Sequence, residues 1–101
     1  MIAEFSIVPL GEGESLSRHV AKAYEVIEAS GIAHEHHAMG TNLEGEWNEV
    51  MAVIKACRDR LLEETARVSL SIKIDDRVGA TDRLAHKVAS ARRKMSDGHA
   101  S

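Results

Sequence analysis

Aromatic side chains are scarce in this chain: Phe5, Tyr24 and Trp47 are the only three. A core must therefore be assembled from Val, Ile, Leu, Ala and Met. Cysteine is limited to Cys57, which excludes an internal disulfide and a cysteine metal cluster and is consistent with a reducing compartment. Long apolar runs are missing too. Nothing approaches the roughly 18 consecutive apolar residues of a membrane span, and no basic leader precedes an apolar run at the N-terminus. A soluble, cytoplasmic protein with no membrane partner is the expectation. Basic excess is also absent: the net charge of −3 argues against a nucleic-acid partner. The run Arg92-Arg93-Lys94 reads as cations at a helix C-terminus, where the dipole favours them.

What remains is an ordinary globular composition, 44% apolar and 29% charged, in 101 residues. That length suits one domain, placed at 1–95 with a flexible tail at 96–101. So small a domain buries a modest fraction of its surface, so self-association is expected.

Periodicity orders the chain. Ile2–Pro9 reads as a strand, with Ala3, Phe5 and Ile7 on one face. After Gly11 and Gly13, with Ser15 as N-cap, Leu16, Val20, Ala23 and Ile27 mark a helix to about Ala29, closed by Gly31. Ile32–Ala38 reads as a histidine-rich strand, Met39-Gly40 as a turn and 41–45 as a third strand. A second helix runs from Trp47 to about Glu63 along Val50, Met51, Ile54, Cys57 and Leu61. In 67–75, Val68, Leu70, Ile72 and Ile74 alternate with Arg67, Ser69, Ser71 and Lys73. Thr81 can cap a third helix along Leu84, Val88, Ala91 and Met95. The order predicts an α+β, ferredoxin-like βαββαβ sandwich: an antiparallel four-stranded sheet, two helices on one face and an extra C-terminal helix. The other face would be covered by a second subunit.

The segment from His36 to Trp47 is dense in small and polar residues between apolar elements, which makes it better material for a site than for a core. With it stand Ala3-Glu4-Phe5-Ser6-Ile7-Val8-Pro9-Leu10, Ser30-Gly31, and the block from Met39-Gly40-Thr41 to Glu44-Gly45-Glu46-Trp47. Arg67-Val68-Ser69, Lys73-Ile74-Asp75-Asp76-Arg77 and Lys87-Val88 complete the set. On these residues the chain resembles the small thiamine-binding protein family. One departure is Ala38, where proline is expected before Met-Gly-Thr. The resemblance implies a ferredoxin-like fold, homodimers and homotetramers built through the sheets, and binding of thiamine or its hydroxymethylpyrimidine moiety without catalysis or a cofactor.

The residues suit that chemistry. A thiamine site wants a carboxylate, an aromatic or thioether surface and short hydroxyls. Glu44 could accept from the amino group, Trp47 could stack on a ring or face the cation, and Met39 offers a soft apolar wall. Ser6, Ser30 and Thr41 are candidate hydrogen-bond partners; Gly40 and Gly45 admit close backbone approach. Each has a structural alternative: Trp47 as core, Gly40 as a turn glycine, Ser6 as a sheet hydroxyl. Lys73, Asp75, Asp76 and Arg77 read as a phosphate site or, preferably, as inter-subunit ion pairs. His34 and His36 share a strand face, as zinc or nickel ligands can, but no third ligand is evident except Glu44 or Glu35, and no metal is assigned. Two other functions stay open: a structural or regulatory self-assembling module, and a small enzyme using Glu44 as acid or base with Lys73 or His36.

Overall fold

Alternation of apolar and polar side chains makes Ile2–Pro9 the first strand, β1. In the computed structural model of the protein, which describes residues 1–11 and 16–79, it is followed by α1 (Leu16–Ser30) and β2 (Ala33–His37). Then come β3 (Gly40–Glu44), α2 (Trp47–Leu62) and β4 (Val68–Asp75). The sheet order is β2-β3-β1-β4, with every neighbouring pair antiparallel. This is the α+β, βαββαβ ferredoxin-like arrangement that the periodicity predicts. The Ser15 cap, the third helix along 81–95 and the tail at 96–101 lie outside the described residues. Among the described residues no helix is long and apolar enough to cross a membrane.

The α1–β2 junction shows how local chemistry ends a helix. Gly31 adopts φ +73°, which glycine enters without steric penalty, and its N–H donates to Glu28 O at 3.3 Å. The Ser30 hydroxyl donates to Ile27 O at 2.6 Å and accepts from Ile32 N–H at 3.2 Å. Two groups that the helix end would leave unpaired are thereby satisfied, and the chain is turned into β2.

The core lies between one sheet face and the two helices. Ala3, Phe5 and Leu43 meet Ala23 and Ile27 of α1 and Val50, Val53, Ile54, Cys57 and Leu61 of α2. Burial of a side chain such as Leu43 or Leu61 stabilises by about 1.5–3 kcal/mol. Burial also pushes the Cys57 thiol up to about 11, so it serves as a small apolar filler rather than a nucleophile. His19 is fully buried on α1, a polar position hidden within an apolar row. Lys22 of α1 pairs with Glu64 beyond α2, fastening the helices together.

The strict alternation of β4 is present, but its apolar row is not sealed. Ile72 and Ile74 remain 41% and 38% exposed, because α1 and α2 pack mainly over β1. Trp47 departs from its expected row as well: it is 53% exposed, and the buried row of α2 begins one turn later at Val50.

Candidate ligand-binding site

A mismatch in strand length creates a cavity beside β1. β3 begins at Gly40, and its register with β1 runs from Ile2↔Glu44 to Phe5↔Thr41. β1 continues to Pro9, paired there with β4 alone. The edge of β1 from Ser6 to Val8 therefore faces the β2–β3 hairpin without a strand beside it. Val20, Ala23, Tyr24 and Ile27 of α1 form the roof, and His37, Ala38, Met39, Gly40 and Thr41 close the hairpin side. The cavity volume is about 200 Å³.

Gly40 is a steric requirement here. At φ +155°, an added Cβ would lie 2.5 Å from Phe5 O, so the two strands meet this closely only without a side chain. Gly45 carries no such demand, since a Cβ there would make ordinary 3.6 Å contacts. Thr41 is buried on the wall, its Oγ1 3.0 Å from His36 Nδ1. Ser6 is half-buried beside Gly40, and Met39, 81% exposed, stands at the rim. Tyr24 supplies an aromatic wall, its ring stacked on His36 with centroids 3.9 Å apart.

Four of the seven residues expected to bind ligand thus come together: Ser6, Met39, Gly40 and Thr41. The other three do not line this cavity. Glu44 alternates with the core residue Leu43, so it turns to the sheet face away from the helices, where it is buried. Trp47 starts α2 on an exposed turn. Ser30 spends its hydroxyl on the helix end. Lys73, Asp75, Asp76 and Arg77 are all exposed at and beyond the end of β4. Tyr24 is the aromatic among the wall residues that the sequence reading did not place in the site. Its signal was an aromatic beside the apolar row of α1, in a chain with so few.

Against the cavity sits a polar cluster. His34 Nε2 lies 3.0 Å and His36 Nε2 3.3 Å from the same oxygen, Glu28 Oε1, contributed by α1. His34 Nδ1 donates to Ile32 O at 2.7 Å. That backbone bond and the Glu28 carboxylate raise the His34 pKa, while hydrogen bonds from His34 and His36 lower that of Glu28. Neither Glu44 nor Glu35 joins the cluster. Both point to the opposite sheet face, as alternation along β2 and its register with β3 require.

Fold and cavity together define a small ferredoxin-like protein with a cavity between α1 and its β2–β3 hairpin. The chain belongs to the thiamine-binding protein family, whose pattern it matches over residues 3–92. It is 39% identical over 96 residues to a UPF0045 protein of Mycobacterium tuberculosis, covering 94% of each chain. A crystal structure of a hypothetical protein from Methanocaldococcus jannaschii superposes with a TM-score of 0.80 at 38% identity, covering 89% of this chain and 93% of that one. A Thermotoga maritima protein, provisionally described as acting in thiamine biosynthesis or salvage, also superposes with a TM-score of 0.80. It is 27% identical, over 89% of this chain and 96% of its own.

Proposed function

We propose that this protein binds the aminopyrimidine ring of thiamine, or free hydroxymethylpyrimidine, in the cavity between α1 and the β2–β3 hairpin, without transforming it. The observation that carries this reading is the unpaired β1 edge opposite Thr41 and Tyr24. A strand edge presents alternating N–H donors and C=O acceptors, and an aminopyrimidine carries the matching amino donor and ring acceptors. Thr41 and Ser6 add hydroxyls, and the Tyr24 ring adds an aromatic surface. Size supports the same conclusion. The cavity of about 200 Å³ falls below the roughly 300 Å³ at which drug-sized ligands are held, so one ring fills it. The thiazolium of thiamine would then lie outward, past the Met39 thioether. Glu44 is not among the residues that line the cavity, which weighs against a role for it as acid or base there.

The protein acts as a homo-oligomer in the cytoplasm on this reading. The half-exposed Ile72 and Ile74, on the helix side of edge strand β4, support self-association along that edge. Native mass spectrometry should then report dimers or tetramers; a monomer at micromolar concentration contradicts that part.

Calorimetric titration tests the ligand. Hydroxymethylpyrimidine and thiamine should bind within about tenfold of each other, because the shared ring makes the contacts. Thr41→Val should weaken both about tenfold, the equivalent of one hydrogen bond. Absence of binding by either compound at millimolar concentration overturns the proposal.

A further inference from the structure

We infer that Glu28, His34 and His36 form a binding site for a divalent transition metal of the zinc type, separate from the ring pocket and not required by it. Alternation puts His34 and His36 on the same face of edge strand β2, and α1 crosses that face with Glu28 directly opposite. One donor atom from each of the three residues lies within 4.8 Å of the other two. Zinc bonds of about 2.0–2.2 Å to nitrogen and oxygen set tetrahedral ligand–ligand edges of about 3.4 Å. The Glu28–His34 and Glu28–His36 separations of 3.0 and 3.3 Å are close to that edge, and the two imidazole nitrogens, within 4.8 Å of each other, would draw together on the ion.

The outer contacts point the same way. A carbonyl only accepts, so His34 Nδ1 carries the hydrogen in its 2.7 Å bond to Ile32 O. The Nε2 lone pair of the neutral ring is then aimed at a carboxylate oxygen 3.0 Å away. Either a proton on Nε2, donated to Glu28, or a bound cation must occupy that gap. A proton serves one histidine; a divalent cation serves both imidazoles and the carboxylate together. His36 Nδ1 is held by Thr41 Oγ1 at 3.0 Å, and its ring is stacked on Tyr24. Metal-binding histidines characteristically have the second ring nitrogen fixed in this way. Glu28 is exposed and both histidines are partly exposed, which leaves an entry path and an open fourth position for water or a ligand atom. The ligand set is imidazole and carboxylate, with no thiolate: Cys57 is buried in the core. That set suits zinc, nickel or cobalt and not calcium or magnesium.

The full chain, stripped by chelator and dialysed, should take up one Zn²⁺ per chain by calorimetry, with a Kd below about 100 µM. Co²⁺ should give the visible bands of a tetrahedral nitrogen–oxygen site without sulfur charge transfer. Glu28→Gln, a near-isosteric change at an exposed position, should weaken Zn²⁺ at least about tenfold, and His34→Asn and His36→Asn about a hundredfold, with unchanged circular dichroism. His37 points to the other sheet face, toward Asn42 and Glu4, so His37→Asn should leave the affinity unchanged. A wild-type Kd weaker than about 100 µM overturns the site, as does equal affinity in Glu28→Gln and the wild type. Because no pyrimidine enters the titration, failure here leaves the ring-binding proposal standing, and failure of that proposal leaves this one.

Discussion

Over β1 and β3, α1 lays Ala23 and Ile27 against Ala3, Phe5 and Leu43, all of them buried. One strand further out, over β2, it lays Tyr24 and Glu28 against His36 and His34. The two rows of α1 are each spaced four residues apart and are offset by a single position, so they run side by side along the helix. Their chemistry is opposite because their strands differ. β1 and β3 are interior strands, where an unpartnered polar atom costs about 1–3 kcal/mol. β2 is an edge strand that water reaches, so polar side chains there can be satisfied and can also exchange partners. The cavity lies where the two environments meet, with Thr41 and Tyr24 belonging to both.

Breaking the interior side should produce the largest effect. Leu43→Ala removes a fully buried side chain from β3 and should lower unfolding free energy by about 2–5 kcal/mol in urea titration. His34→Asn, at the edge, should leave the urea midpoint nearly unchanged. Equal losses from both would mean that the edge is core. A smaller effect is expected at the seam. Gly40→Ala forces a Cβ into Phe5 O and should destabilise by about 1–3 kcal/mol, while weakening ring binding because the hairpin must withdraw from β1. Full stability in that variant would mean that the strands do not need their close approach.

The fold was legible because each element carries its own period. Every described element end falls within one residue of the boundary that periodicity predicts, including the short β2 and β3. The candidate site was legible only where neighbours in sequence are neighbours in space. Met39, Gly40 and Thr41 form one hairpin, and Ser6 sits beside it through strand pairing. Glu44 and Trp47 seemed to belong by adjacency, but strand alternation turns one away and the start of α2 exposes the other. Glu28 and Tyr24 were invisible for the converse reason. They reach His34 and His36 across a helix–sheet crossing, and sequence spacing contains no record of such a crossing. For the same reason the carboxylate partner of the histidine pair came into view only once α1 was placed over β2.

Backbone amide chemical shifts, followed while hydroxymethylpyrimidine is titrated into uniformly ¹⁵N-labelled protein, test the central claim most directly. Saturable shifts should centre on Ser6, Ile7, Val8, Tyr24, Gly40 and Thr41, with Ser30, Glu44 and Trp47 little moved. Shifts centred instead on Glu44 and Trp47, or none at millimolar ligand, would contradict a ring-binding cavity at the β1 edge.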